Sequence, residues 1–119
     1  MENRDFWSAL DELIRRSRLV IDRPRGSAHP RFPALIYPLD YGYLAQTSSM
    51  DGEGMDVWLG SDPAQTLNAV ICTVDLEKRD SEVKLLLGCT REEIHLVLDF
   101  HNRSPSMKGL LIPRPDSTR

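Results

Sequence analysis

Cysteine is scarce in this chain of 119 residues, which has only Cys72 and Cys89. Two cysteines this far apart give neither a disulfide framework nor the paired ligand spacing of a structural zinc site, so they fit a reducing compartment such as the cytoplasm. Long apolar runs are missing as well, and we therefore expect no signal peptide and no membrane-spanning helix. Because chains of this length rarely divide, we expect one soluble globular domain over residues 1–119.

The chain also has no large excess of charge of one sign. Fifteen Lys and Arg residues stand against eighteen Asp and Glu residues, which leaves a formal net charge of −3. That total gives no reason to expect nucleic acid or a membrane surface as a partner. The charges are nevertheless segregated along the chain. The early basic stretch contains Arg15, Arg16, Arg18, Arg23, Arg25 and Arg31. The central acidic stretch contains Asp51, Glu53, Asp56, Asp62, Asp75, Glu77, Asp80 and Glu82.

The spacing of apolar residues predicts one helix near each end of the chain. An apolar stripe that begins at Phe6 and Trp7 predicts a helix over residues 5–16. This stripe packs either on the core, which we favour, or on a second subunit. Thr90 and Glu93 have the spacing of a capping box, which predicts a helix over residues 91–102.

Short β-prone runs separated by Gly-, Asp- and Ser-rich breaks fill most of the chain between these helices. They predict a mainly β, α+β fold with a small barrel or sandwich. The runs are residues 19–21, 34–37, 43–47, 55–60, 68–76 and 83–88, and a last strand or extended segment follows at 107–112. Residues 113–119 are polar and contain proline, so we expect a disordered tail there.

Three carboxylates occur in the short segment Asp51-Gly-Glu-Gly-Met-Asp56. Because they repel one another, either solvent or a bound cation must relieve the repulsion. Mg²⁺ prefers oxygen ligands and commonly takes one or two carboxylates together with phosphate oxygens. A solvated Asp-Gly turn is the simpler alternative, and the segment alone does not decide between the two.

Three further features carry groups suited to phosphate or metal. The acid-rich segment from Glu77 to Lys84 is either a charged hairpin loop or the second half of a metal site. The segment Tyr37-Pro-Leu-Asp-Tyr-Gly-Tyr43 holds three phenols, which either fill an aromatic core or donate to phosphate oxygens. The early arginines either solubilise the surface or bind phosphate through their guanidinium groups.

Taken in chain order, these motifs resemble those of the soluble family I inorganic pyrophosphatases. The matching segments are Val20-Ile-Asp-Arg-Pro-Arg-Gly-Ser27, the tyrosine segment, Asp51-Gly-Glu-Gly-Met-Asp-Val57 and the segment from Glu77 to Lys84. The resemblance implies a small OB-like five-stranded β-barrel over residues 19–88, with an N-terminal and a C-terminal helix. It also implies Mg²⁺-dependent hydrolysis of pyrophosphate to two phosphates by a metal-activated water, and assembly into a homo-oligomer.

The resemblance further assigns roles to individual residues. The implied metal ligands are Asp22, Asp51, Asp56, Glu77 and Glu82. The implied catalytic residues are Glu53, which would activate the attacking water, and Asp56, Lys84 and Tyr41. The implied substrate-binding residues are Arg31, Tyr37, Tyr41 and Lys84, with His29 as an alternative to Arg31.

The chain departs from the family pattern in ways that keep other functions open. Glu53, Glu77 and Glu82 stand where the family has aspartates, and a carboxylate misplaced by about 1 Å can cost about 10²-fold in rate. A Lys-x-Glu segment of the family is missing, and His101-Asn102 replaces a late Tyr-Lys pair. One alternative is a weak or inactive pyrophosphatase-like domain that binds or hydrolyses another phosphorylated metabolite. Another is an OB-like module for single-stranded nucleic acid, which the central acids disfavour.

Overall fold

The computed structural model describes residues 4–49 and 53–115, which form an α+β fold built mainly of sheet. The elements along the chain are α1 (Arg4–Arg15), β1 (Leu19–Arg23), β2 (Asp40–Leu44), β3 (Met55–Leu59), β4 (Leu67–Asp75), β5 (Asp80–Leu87), α2 (Arg91–Arg103) and β6 (Met107–Pro113). Neither of the helices in these two ranges has the length and apolar character needed to cross a membrane.

The described strands form one open sheet rather than the predicted closed five-stranded barrel. Their order is β1-β2-β3-β5-β4-β6, and every neighbouring pair is antiparallel except β3 and β5, which are parallel. Strand β6 pairs with β4 from Ala69↔Pro113 to Asp75↔Met107. A closed five-stranded barrel would need β1 to pair with the free edge of β4. Strand β6 occupies that edge instead, so β1 and β6 are the two edge strands of the sheet. The prediction was therefore wrong in closure, whereas the five strands expected within residues 19–88 and the last strand expected at 107–112 are present.

The two helices pack on opposite faces of this sheet. Trp7 and Leu10 of α1 are buried against one face, in a cluster that includes Val57 and Leu85. The apolar stripe of α1 thus packs on the core, as favoured from the sequence. On the other face α2 contributes to a second cluster, whose buried members are Leu35, Tyr37, Leu39, Trp58, Ala69, Ile71, Leu86, Cys89, Val97 and Phe100.

Helix α2 starts with the predicted capping box, in which Thr90 and Glu93 each bond the other's backbone N–H. The Glu93 carboxylate also accepts the backbone N–H of Ser61, at 3.1 and 3.2 Å to its two oxygens. The side chain that caps the helix therefore also joins its first turn to the loop after β3. This double role fixes where α2 begins on the sheet.

Strands β1 and β2 approach each other closely at Gly42. A Cβ atom at this position would lie 1.8 Å from the carbonyl oxygen of Val20, so only glycine fits without moving the backbone. The pairing register shifts between Ile21 and Arg23, which marks a β-bulge beside this contact. Gly42 separates Tyr41 and Tyr43, and both phenol rings face the cleft described below.

The proline-rich segment between β1 and β2 folds back on itself as a short hairpin-like loop. The backbone N–H of Gly26 donates to Tyr37, that of Tyr37 donates to Ser27, and that of His29 donates to Leu35. An isolated bridge joins residues 28 and 36. These bonds order a segment that contains too many prolines for helix, and they hold its tip over the α2 face of the sheet.

The end of the described chain is anchored. Strand β6 includes Pro113, and the backbone N–H of Arg114 donates to the carbonyl of Asn68 at 2.8 Å. The Arg114 guanidinium also makes a two-point contact with Asp11 of α1, at 3.0 and 2.8 Å. Ordered chain thus extends beyond residue 113, where the predicted tail begins, and residues 116–119 of that tail lie outside the described residues.

Candidate functional site

A cleft of about 650 Å³ lies on the α2 side of the sheet. It is lined by polar residues from β1 to β5, by the loop between β1 and β2, and by the C-terminal end of α2. The lining includes eight of the residues singled out from the sequence, namely Asp22, Arg31, Tyr37, Tyr41, Glu53, Asp56, Glu82 and Lys84. The cleft therefore brings together most of the residues that the sequence predicted for the site.

Strand register brings Asp56 and Lys84 together. Strands β3 and β5 run parallel with Val57 opposite Leu85. Because side chains alternate along a strand, the residues just before this pair point to the opposite face, towards the cleft. Tyr43 lies opposite Asp56 on the neighbouring strand β2. The same alternation that buries Val57 and Leu85 under α1 thus presents Asp56 and Lys84 to the cleft.

Lys84 is the centre of the polar cluster. Its Nζ atom lies 2.6 Å from Oδ2 of Asp56, 2.9 Å from the hydroxyl oxygen of Tyr41 and 3.2 Å from Oε1 of Glu82. An ammonium group has three N–H donors, and each of them has an acceptor here. The lysine side chain is only 4% exposed, so these contacts replace its hydration almost completely.

The surroundings of Lys84 hold it in the charged state. Burial by itself would lower its pKa, but attraction and hydrogen bonding to Tyr41 and Asp56 outweigh burial and raise the pKa above its usual value. Burial also raises the pKa of Tyr41, against the opposing influence of Lys84. Tyr41 therefore remains a neutral phenol, which accepts from Lys84 and donates its own O–H to Asp56.

Ser49 connects the acidic turn to β5. Its hydroxyl lies 3.2 Å from Oε2 of Glu82 and 3.1 Å from the backbone carbonyl of Glu53. That carbonyl also accepts the backbone N–H of Ser49 at 2.8 Å. The described part of the turn is thus held against the strand that carries Glu82, and Glu53 faces the same cleft as Glu82.

Two arginines of the early basic stretch line the cleft. Arg23 donates to the hydroxyl of Tyr37 at 2.8 Å, and its guanidinium carbon lies 5.8 Å from the centroid of that ring. Arg31 forms an ion pair of 2.9 Å with Glu77 in the β4–β5 turn. Both side chains of this pair are largely exposed, which makes the contact a weak one that a competing anion can replace.

The predicted metal ligands divide into three groups. Asp56 and Glu82 contact the same lysine nitrogen, and Asp22 is exposed at the same cleft. Glu77 is paired with Arg31 and is not among the residues that line the cleft. Asp51 lies outside the described residues. Within residues 4–49 and 53–115, no group of three or more His, Cys, Asp or Glu side chains is arranged to hold a metal ion by itself.

The donor chemistry of Asp56 and Glu82 nevertheless suits Mg²⁺. This ion keeps several waters and often binds through one or two carboxylates plus phosphate oxygens, without a cage of protein ligands. Asp56 and Glu82 supply two carboxylates close enough to bond one ammonium nitrogen. A site of this kind fits these two residues, and Lys84 is the cation that now neutralises them.

Sequence reasoning overlooked several residues of the cleft. His101 lines the cleft and accepts the indole N–H of Trp58 at 3.0 Å on its Nε2 atom. Asp75 accepts the backbone N–H groups of Glu77 and Lys78, at 2.9 and 3.1 Å, so it shapes the β4–β5 turn. The alternation of side chains along β4 was the available signal for Asp75. For His101 the signal was its position in the pair His101-Asn102, which the resemblance aligned with a late Tyr-Lys pair without giving His101 a role.

Burial also determines the state of His101. Burial lowers its pKa to about 3, with smaller contributions from Lys84 and His29. The ring is therefore neutral at pH 7. Because Nε2 accepts from Trp58, the ring proton is on Nδ1, which lies 3.0 Å from the sulfur of Met107. His101 supports the floor of the cleft without contributing a charge.

No family model matches the chain. No curated protein matches it either.

Proposed function

We propose that this chain hydrolyses phosphoanhydrides, inorganic pyrophosphate among them, with Mg²⁺ as its cofactor. The observation that carries the proposal is the buried, charged Lys84 between Tyr41 and two carboxylates at the base of an open cleft. The order of the sequence motifs gives independent support, since it resembles that of the family I pyrophosphatases. The proposal further includes a cytoplasmic protein that assembles with copies of itself.

Lys84 and Tyr41 would bind phosphate oxygens. All three donors of Lys84 are engaged, so the ammonium can turn to a phosphate only when Asp56 or Glu82 is neutralised by another cation. Tyr41 keeps its proton because burial raises its pKa, and its O–H, which now bonds Asp56, would turn to a phosphate oxygen once a cation takes up Asp56. Substrate and divalent cation are therefore expected to bind together, because the cation would replace Lys84 at the carboxylates and Lys84 would then bond the phosphate.

The carboxylates would provide the other half of the site. Mg²⁺ held by Asp56 and Glu82 would offset phosphate charge and lower the pKa of a water molecule towards neutrality. Glu53 faces the same cleft and would accept the proton of the attacking water. Asp22 would add a further negative charge on the side of β1.

The arginines and Tyr37 would complete substrate binding. Arg31 can exchange its exposed partner Glu77 for a phosphate oxygen at little cost, since pairs of this kind contribute only about 0 to 1 kcal/mol. Arg23 and Tyr37 are already hydrogen-bonded to each other at the cleft surface and would act as a unit. Charge developing on the phosphate oxygens would then be met by Lys84 and these arginines.

The experiment is a phosphate-release assay on pyrophosphate with purified full-length chain. We expect release that depends on Mg²⁺ and stops when excess chelator is added. Sodium chloride at the same ionic strength, in place of Mg²⁺, serves as the control for simple charge screening. No release with Mg²⁺, or release that chelator leaves unchanged, would overturn the proposal.

A further inference from the structure

One side of the cleft is aromatic rather than ionic. The ring of Tyr41, which touches Lys84 through its hydroxyl, lies 5.3 Å from the ring of Tyr37. Tyr37 in turn stacks on His29, with centroids 6.0 Å apart and planes 3° from parallel. The next contact is from His29 to Phe32, at 5.4 Å. A continuous row of rings thus leads from the ammonium of Lys84 to the loop between β1 and β2.

The outer end of this row retains accessible ring surface. His29 and Phe32 are only partly buried, and both line the cleft. They come from the tip of the hairpin-like loop, whose backbone bonds fix its shape. Pyrophosphate has no apolar surface to place against such rings, so the ionic cluster alone does not account for this part of the cleft.

His29 is held as a neutral, oriented ring. Its Nδ1 atom accepts the backbone N–H groups of Arg31 and Phe32, at 3.0 and 3.1 Å. Burial lowers its pKa, and the positive charges of Arg23, Arg31 and Lys78 lower it further. With Nδ1 accepting, Nε2 carries the ring proton and can donate to a polar edge of a ligand. The position therefore offers one hydrogen-bond donor next to the partly exposed ring of Phe32.

The size of the cleft agrees with a ligand larger than two phosphates. Sites for whole organic ligands have volumes of about 300 to 1,000 Å³ and combine aromatic walls with a few placed polar groups. The cleft has about 650 Å³ and both kinds of lining.

We infer that the preferred substrates are phosphoanhydrides attached to a planar aromatic group, such as nucleoside diphosphates, with the base against His29 and Phe32. This inference rests on the proposed function and specifies its substrate class. Water attacks the terminal phosphorus, the bond from that phosphorus to the bridging oxygen breaks, and the bridging oxygen stays on the nucleoside monophosphate. Orthophosphate is the second product, and the proton released from water passes to Glu53 and then to solvent. No oxidant, reductant or further reactant is needed.

The test compares three substrates with Mg²⁺ present: adenosine 5′-diphosphate, pyrophosphate, and methyl diphosphate as an ester without a ring. We expect the highest kcat/KM for the nucleotide. Phe32→Leu removes the ring but keeps apolar volume, and stacking worth about 1 to 3 kcal/mol per base predicts a loss of at least about fivefold for the nucleotide alone. Phe32→Tyr retains the ring and should preserve the wild-type value. Ile36→Ala alters an exposed apolar residue of the same loop that does not line the cleft, and serves as the control.

The outcomes separate this inference from the proposed function. Turnover of pyrophosphate with no preference for the nucleotide, or an equal effect of Phe32→Leu on all three substrates, would overturn the substrate class and leave the hydrolase standing. Absence of turnover with every substrate would overturn both. A lower melting temperature would show that Phe32→Leu has lost structure. The substrate class is then tested by the ranking of the three substrates with wild-type protein and by the activity of Phe32→Tyr.

Discussion

The Nζ atom of Lys84 lies 2.6 Å from Oδ2 of Asp56, and the two side chains differ in their exposure, at 4% and 25%. The aspartate is therefore the more accessible of the two, although both side chains line the cleft. Asp56 can exchange the ammonium for another cation, whereas Lys84 depends on its three acceptors in place of hydration. This asymmetry makes the pair suited to a site that takes up a cation together with an anionic ligand.

Replacing Lys84 should be costly for stability. Lys84→Met leaves the carboxylates of Asp56 and Glu82 without their shared cation, and removal of one partner from a buried ion pair typically costs about 3 to 5 kcal/mol. We expect a loss of about 3 kcal/mol in the free energy of unfolding, measured in urea at pH 7. Lys78→Met, at an exposed lysine of the β4–β5 turn, is the control. Equal stability of the two variants would show that the Lys84 cluster contributes little.

His101 should make the fold sensitive to acid. Its pKa is about 3 in the folded state and about 6.5 when unfolded, so between these values only the unfolded chain binds the proton. Its contribution to stability is complete above about pH 6.5 and is lost as the pH falls towards 3, by at most about 1.4 kcal/mol per pH unit. In urea unfolding experiments, the free energy of unfolding should fall less between pH 7 and pH 5 in His101→Gln than in wild type.

The control for this measurement is His95→Gln, which changes an exposed histidine of the same helix. The free energy of unfolding of this variant should change between pH 7 and pH 5 by the same amount as that of wild type. His29 has a lowered pKa as well and contributes with the same sign in all three proteins, so it does not affect the comparison. An unchanged pH dependence in His101→Gln would refute the assignment of a neutral buried ring.

Much of this architecture could be predicted from local sequence. The capping box at Thr90 located the start of α2, because its two reciprocal bonds involve residues only three positions apart. The open sheet could not be predicted in this way. The pairing of β6 with β4 and the parallel pairing of β3 with β5 join segments that are distant in sequence, and no single segment encodes its partner.

In the candidate site, too, some residues could be predicted from local sequence, whereas contacts that depend on tertiary packing could not. The motifs that contain Tyr41, Asp56 and Lys84 were visible in the sequence, and strand register brings the three residues together. The contact of Arg31 with Glu77 could not be foreseen, since it depends on how a proline-rich loop folds back over the β4–β5 turn. The position of His101 under the cleft likewise depends on where α2 packs on the sheet.

Glycine should be essential at position 42 and dispensable at position 109. A Cβ atom at Gly42 would meet the backbone oxygen of Val20 at 1.8 Å, whereas at Gly109 it would meet the flexible end of the Ile71 side chain at 2.8 Å. We expect Gly42→Ala to lower the free energy of unfolding by about 3 kcal/mol or more, and Gly109→Ala by about 1 kcal/mol. Urea unfolding of the two variants measures this difference. Equal losses would contradict the tight approach of β1 to β2.

Mg²⁺ should stabilise the folded chain. An ion that binds only the folded state adds about 2.7 kcal/mol when its concentration is one hundred times its Kd. We expect the melting temperature to rise with Mg²⁺ and to rise much less in Asp56→Asn. Sodium chloride at the same ionic strength is the control. If sodium chloride reproduced the increase, screening of the acidic stretch rather than a metal site would explain it.

The most direct test of a hydrolytic site built on Asp56 is the rate of Mg²⁺-dependent phosphate release by Asp56→Asn, compared with Asp99→Asn. Asp99 is an exposed aspartate of α2 outside the cleft, so its replacement controls for the loss of one carboxylate. We predict that Asp56→Asn lowers kcat at least about 10²-fold, as expected for a central catalytic contact, while Asp99→Asn keeps the wild-type rate. Release by Asp56→Asn at the wild-type rate would contradict the account.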